Sequence, residues 1–392
     1  MRPREIRPGV SWVGAVDWDR RLFDSLIPLE RGTSYNSYLV EGTEKTALLD
    51  TVDPSKTGTL LQALENVGKV DFVVAHHAEQ DHSGSLPVVL ARYPEATVLC
   101  SPKAVELLSA HLHIPEERMR AVEDGEVLEL GGKTLRFVHT PWVHWPETMS
   151  SFLEEDRVLF SCDLFGSHLA TSDLFAAEDE VFTLAKRYYA EIMMPLRAAV
   201  HKNVDKVAAL SPVVVAPSHG PLYSRPEFII DAYRSWVDGP SRNLVVLPYV
   251  TMHGSTLALV EHFAGALIER GVKVERFDLT GVDLGRLAAS LVDAATLVLA
   301  TPTVLTNPHP LAASALYLVN ALRPPLKFIS LLVSYGWATN AVETAKTLTG
   351  ALKAEMIPPI TVKGLPTEKD LLLVSELAAA IAARHEDLGP AL

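Results

Sequence analysis

At 392 residues the chain is too long for one ordinary core, and 48% hydrophobic against 21% charged residues with no low-complexity tract reads as a globular protein of two domains. No run of about 18 apolar residues is present to cross a membrane, and Met1-Arg2-Pro3-Arg4-Glu5-Ile6-Arg7-Pro8 carries charge with no apolar segment behind it, so no signal peptide is expected. The net charge of −13 lies almost wholly in residues 1–240, where 23 Lys and Arg face 35 Asp and Glu, and without a basic patch a nucleic-acid partner is excluded.

Short β-rich runs at Tyr38-Leu39-Val40, Thr46-Ala47-Leu48-Leu49 and Val158-Leu159-Phe160 alternate with helix-like segments at 60–67 and 85–92, a mixed α/β pattern. The apolar run Val70-Asp71-Phe72-Val73-Val74-Ala75 predicts a strand, and His77-Ala78-Glu79-Gln80-Asp81-His82 follows it at once. A chain turning at a strand end aims successive side chains at one point, and two imidazoles with two carboxylates there predict a divalent metal site rather than a plain polar loop. Cys100 and Cys162 sit inside apolar runs without CxxC spacing, which predicts buried thiols and a reducing cytoplasm.

Three further candidate ligands follow apolar segments or open loops: His144, Asp163 and His219, at intervals of 67, 19 and 56 residues from His77 onward. His76, His111, His113 and His139 fall outside this register and read as structural, while His168, just past Asp163, is placed to orient a ligand. A helix over 226–235 stops at Gly239-Pro240, which predicts domains at 1–240 and 241–392.

Beyond the break, strands at 244–248, 273–277, 295–300 and 327–332 alternate with helices at 256–270, 312–321 and 340–353, the spacing of a doubly wound parallel sheet. Thr251-Met252-His253-Gly254-Ser255-Thr256 joins strand to helix with hydroxyls and a glycine, an anion-binding turn without the lysine of a nucleoside-triphosphate loop. Pro302-Thr303-Val304-Leu305-Thr306 and Ser334-Tyr335-Gly336-Trp337-Ala338 leave the next strands at the same carboxyl edge, where ligands of such sheets bind. Tyr335 and Trp337 offer aromatic surface for a planar ring. These three loops resemble flavodoxin, which implies FMN.

The order of His, Asp and His behind the first motif resembles the metallo-β-lactamase fold, an αββα sandwich whose opening motif H-x-H-x-D-H has Glu79 here at its second histidine. A carboxylate there hardens the donor set and moves preference from zinc toward iron. With Gly32-Thr33-Ser34-Tyr35-Asn36-Ser37-Tyr38-Leu39, His144-Trp145-Pro146, Ser218-His219-Gly220 and Ser334-Tyr335-Gly336-Trp337, the whole chain resembles the flavodiiron proteins, or type A flavoproteins. That resemblance implies two irons per chain, one held by His77, Glu79 and His144 and the other by Asp81, His82 and His219, with Asp163 bridging and Trp337 beside the centre. It further implies a cytoplasmic reductase of dioxygen or nitric oxide, a head-to-tail homodimer or dimer of dimers, and a separate electron donor such as rubredoxin or a reduced deazaflavin coenzyme. The chain departs from the family at Asp24, where histidine is expected after Phe23. The competing reading is a dizinc hydrolase carrying a flavodoxin module, against which Glu79 argues.

Overall fold

The computed structural model of the chain describes residues 2–388, which divide after Val237 into two compact units. In the first unit a seven-stranded sheet runs Arg4–Arg7, Val10–Trp12, Tyr38–Glu41, Thr46–Leu49, Phe72–Ala75, Thr97–Cys100 and Met119–Ala121 across its width, and is parallel from Thr46–Leu49 onward. A five-stranded sheet orders Val127–Glu129, Thr134–His139, Met149–Leu153, Val158–Cys162 and Val214–Pro217.

Alternation along the central strands explains the layering. In Phe72–Ala75, Val73 and Ala75 enter a core with helix residues Leu60, Leu86, Val89 and Leu108, while Val74 points the other way into a core shared with Phe137, Leu153, Phe160 and Val214 of the second sheet. The two sheets are thus joined face to face by apolar side chains. Helices Glu178–Tyr188 and Arg197–Ala208 precede the last strand of the second sheet and Pro226–Asp238 follows it, and Tyr189, Tyr233 and Trp236 pack with ring centroids 5.2–5.5 Å apart. The first unit is a metallo-β-lactamase-like αββα sandwich.

The second unit is flavodoxin-like: its parallel sheet is ordered Lys273–Asp278, Arg242–Tyr249, Ala294–Val304, Phe328–Tyr335, then Glu355–Met356 and Ile360–Lys363. Both faces are covered. Val246 and Leu297 meet Leu287, Leu316 and Ala345, while Val245 and Leu247 meet Phe263, Leu377 and Ile381. The third strand outruns the expected 295–300: Pro302 still lies opposite Ser334, and Thr303 and Val304 fold back against Asn307–Pro308. The helix expected to reach 353 ends at Leu348, where Thr349 turns its hydroxyl back onto the Ala345 carbonyl at 2.8 Å. Among the described residues no helix is long and apolar enough to cross a membrane.

The last helix, Glu368–His385, opens on a Thr367/Asp370 capping box and is tied to the sheet at its far end by His385. The buried ring donates from Nδ1 to Asn243 Oδ1 at 3.0 Å and accepts at Nε2 from the Thr296 hydroxyl at 2.7 Å. Burial, helped by the Lys327 charge, lowers its pKa to about 4. Because the unfolded chain takes up a proton near pH 6.5 and the folded ring resists until about 4, this contribution is complete above about pH 6.5 and is lost as pH falls through that window, to the extent of ~3 kcal/mol. Thermal melts between pH 7 and 4.5 should therefore show a shallower acid-side decline for His385→Gln than for the wild type. Parallel declines would show that His385 does not carry this dependence.

Candidate metal centre and ligand cavity

The strand Phe72–Ala75 ends two residues before His77, Glu79 continues extended, and Gln80–Ser83 then closes into one helical turn that carries Asp81 and His82. Ser83 fastens the turn by donating to the Ala78 and Glu79 carbonyls at 2.8 and 2.9 Å, and Thr51 holds the His82 carbonyl at 2.5 Å. Asp163 follows the strand Val158–Cys162, and His219 follows Val214–Pro217. Gly220 has φ +79, and a Cβ there would meet Ser167 Oγ at 2.1 Å, so the turn after His219 admits only glycine.

The seven expected ligands converge in two groups. His77, Glu79, His144 and Asp163 bring their donor atoms within 4.8 Å of one another, as do Asp81, His82 and His219. Glu79 Oε2 lies 3.1 Å from His77 Nε2 and 3.2 Å from His144 Nε2, and Asp81 Oδ2 lies 3.1 Å from His219 Nε2. Asp163 is split between them. Its Oδ2 is 3.6 and 3.5 Å from Nε2 of His77 and His144, whereas its Oδ1 is 3.2 and 3.4 Å from Nε2 of His82 and His219.

Electrostatics mark the cluster as a cation site. Burial alone would push the three innermost imidazoles down. Hydrogen bonds from His77 to the Glu147 and Glu79 carboxylates instead raise His77 to about 9, and the Asp163 and Asp81 carboxylates raise His82 and His219 to about 10. Among the described residues no hydrogen-bond donor is directed at either oxygen of Asp81 or at Asp163 Oδ2, although all three are buried. Buried, unsatisfied carboxylate oxygens facing imidazole nitrogens fit a pair of divalent ions, and a donor set of nitrogen and oxygen without thiolate fits iron.

The ligands are held from behind by groups that sequence reasoning missed. Glu147 is fully buried and accepts from His77 Nδ1 at 2.7 Å and from the Ala78 amide at 3.1 Å, which leaves His77 Nε2 free to face the centre. The Ser34 carbonyl accepts from His219 Nδ1 at 2.7 Å. Tyr188, the last residue before a π-helical turn at Tyr189–Met193, donates its hydroxyl to Asp163 Oδ1 at 2.9 Å. Glu147 stands three residues from His144 within His144-Trp145-Pro146-Glu147, and that proximity was the one available signal.

His168, expected to orient a ligand, hydrogen-bonds Thr33 Oγ1 through Nδ1 at 2.9 Å and reaches His219 only by ring packing, with centroids 5.3 Å apart. Burial holds it well below its usual pKa. Phe23 closes that side, 4.7 Å from His168 and 5.9 Å from His219, and Trp145 closes the other, 4.9 Å from His77. Asp24 occupies the tight turn after Phe23 with φ +49, where partial burial and then the Glu79 and Asp81 charges raise its carboxyl pKa. His76 belongs to a separate buried chain, bonding Asp50 Oδ2 and Ser151 Oγ at 2.7 Å each.

In the second unit the three loops surround a cavity of about 420 Å³. Met252, His253, Ser255, Thr256, Pro302, Thr303, Val304, Leu305, Ser334, Tyr335, Gly336 and Trp337 line it, together with Gly364, which was not anticipated. Thr251, Gly254, Thr306 and Ala338 lie in the same loops but off its wall. Gly254, at φ +88, turns the chain into helix Ser255–Ile268, whose first amides face an incoming anion. The Thr251 hydroxyl is buried and has no hydrogen-bond partner among the described residues. Leu305 and Trp337 stand 79% and 75% exposed at the rim, apolar surface suited to a planar ring.

Residues 33–220 match a family model described as an ODP family beta lactamase. A nitric oxide reductase from Moorella thermoacetica is 33% identical over 398 residues, covering 98% of this chain and 100% of that one. A coenzyme F420H2 oxidase from Methanothermobacter marburgensis is 36% identical over 334 residues, covering 82% of each chain. Among solved structures, the rubredoxin oxygen:oxidoreductase of Desulfovibrio gigas superposes with a TM-score of 0.94 at 28% identity, covering 98% of this chain and 99% of that one.

Proposed function

The chain belongs to the flavodiiron proteins, or type A flavoproteins, and from that membership we propose that it reduces dioxygen to water, nitric oxide to nitrous oxide, or both. It is an oxidoreductase whose cofactors are a diiron centre and FMN. The observation that carries the reading is Asp163, one oxygen turned to each of two donor groups, the first of which includes the carboxylate Glu79. His77, Glu79 and His144 would hold one iron and Asp81, His82 and His219 the other, with Asp163 between them, and the loops of the second unit would hold the flavin.

When bound, the two irons and the flavin supply the four electrons that take dioxygen and four protons to two waters, or the two that take two nitric oxides and two protons to nitrous oxide and water. The chain's own residues prepare that chemistry. Glu147 and the Ser34 carbonyl keep the proton on Nδ1 of His77 and His219, so that both present Nε2 lone pairs inward. The Tyr188 hydroxyl donates to Asp163 Oδ1, which tempers the basicity of that oxygen relative to its twin. Phe23, Trp145 and the neutral His168 form an apolar, aromatic lining that limits water around the donors.

Electrons would come from a separate donor, rubredoxin or a reduced deazaflavin coenzyme. A cytoplasmic head-to-tail homodimer, alone or paired as a dimer of dimers, would set each flavin against the metal pocket of the other copy and bring the exposed Trp337 rim there.

The test is anaerobic kinetics of the FMN-reduced protein with dioxygen and with nitric oxide, with iron, zinc and FMN measured on the same sample. Two irons and one FMN per chain with turnover of either gas is the expected result. Zinc without either activity would return the chain to the dizinc hydrolase reading. Turnover per chain should fall as dilution yields monomers, and undiminished turnover in monomers would sink the dimer.

A further inference from the structure

The segment Thr33–Tyr38 is buried throughout, yet it supplies no metal ligand. The side chains of Ser34, Asn36 and Tyr38 gather on the main chain around His219. Asn36, 3% exposed, uses its whole amide there: Nδ2 donates to the Pro217 carbonyl at 2.7 Å and to the Gly220 carbonyl at 2.8 Å, bracketing Ser218 and His219. Asn36 Oδ1 accepts from Trp12 Nε1 at 2.9 Å, which fixes the sense of the amide, and the Asn36 amide N–H donates to the Ser218 carbonyl at 2.8 Å. Ser34 completes the grip, its carbonyl accepting from His219 Nδ1 and its hydroxyl from the Gly220 amide at 2.8 Å.

We propose that Asn36, oriented by Trp12, is a positioning residue that sets the affinity of the Asp81, His82 and His219 half of the centre and leaves the His77, Glu79 and His144 half unaffected. The inference rests on the two-metal reading above. Its basis is that the two halves are supported separately. His219 is held through Ser34, Asn36 and Trp12, from the first sheet and the connection beside it, whereas His77 is held by Glu147. An imidazole that loses its fixed tautomer and direction binds metal about 10–100-fold more weakly. Loosening only the first of these supports should therefore weaken one of two binding events.

The experiment is stepwise iron titration of the full chain stripped of metal, for wild type, Asn36→Ala, Asn36→Asp and Trp12→Phe, with FMN content and the electron paramagnetic resonance spectrum of the half-reduced protein recorded alongside. Both Asn36 variants should keep FMN and one tight iron, weaken the second about 10–100-fold, and replace the spin-coupled mixed-valence signal by that of an isolated ferric ion. Trp12→Phe, which keeps both Asn36 donor bonds, should give a smaller loss in the same step, and it carries the test if the Asn36 variants do not fold. Equal weakening of both steps, or two unweakened steps with the coupled signal intact, would overturn the proposal. A wild type that takes up two zinc ions and rejects iron would instead overturn the diiron reading, and the same stepwise comparison with zinc would still decide on Asn36.

Discussion

Asp163→Ala should carry less than one iron per chain where the wild type carries two, retain one FMN, and lose reductase activity by more than the ~100-fold that removal of a supporting group costs. Asp163 lies within 3.6 Å of imidazoles in both donor groups, its two oxygens shared between four of them. Burial would raise its pKa, but the His82 and His219 partners hold it well below the usual carboxylate range, so it is an anion at neutral pH. Without it each group keeps only three donors and the charge that binds the two ions as a pair is gone. Asp163→Asn separates charge from shape, because it keeps one neutral oxygen and should retain iron in one group only. Iron analysis and the visible flavin spectrum on one sample check both, and two irons in Asp163→Ala would exclude a bridging role.

Glu147→Ala should have the next largest effect. The carboxylate is buried and accepts from two donors, His77 Nδ1 and the Ala78 amide, and both would be left in a site closed to water. Each stranded donor costs about 1–3 kcal/mol, and His77 loses the partner that fixes its tautomer. We expect a lower melting temperature together with a 10–100-fold weaker iron site on the His77 side. Both bonds end on Glu147 Oε1, so Glu147→Gln keeps that acceptor but loses the charge, and should recover most of the stability but only part of the metal affinity. Thermal melts with iron titration distinguish the two. Wild-type iron affinity in Glu147→Ala would show that the hydrogen bond to His77 is structural alone.

The candidate ligands were legible because Asp163, His219 and the group opening at His77 each closely follow an apolar strand, and four of them fall within six residues of one another. The doubly wound sheet was legible for a related reason, since strands buried on both faces read as unbroken Val and Leu runs such as Val245-Val246-Leu247. Glu147 was not, because one acid among many gains meaning only when His77 Nδ1 is seen to point at it. Thr33-Ser34-Tyr35-Asn36 stood out as a motif, but its partners His168, Pro217 and His219 lie more than 130 residues away and no local pattern connects them. His168 was assigned by closeness to Asp163 in the chain, and in the fold the tight turn there sends its Nδ1 to Thr33 instead.

The convergence of ligands from two sheets has a consequence for how the first unit holds together. His77 to His82 hang from the seven-stranded sheet, whereas His144, Asp163 and His219 hang from the five-stranded one, and between the layers non-directional apolar contacts are joined by a few hydrogen bonds such as His76 to Ser151. A bound ion pair is thus a cross-link between the open ends of a sandwich, closing chain loops of 67, 19 and 56 residues in one step. The folding stability of the unit becomes a function of free metal concentration, growing with its logarithm above the dissociation constant. Two preparations of the same chain with different metal load are, in thermodynamic terms, different proteins.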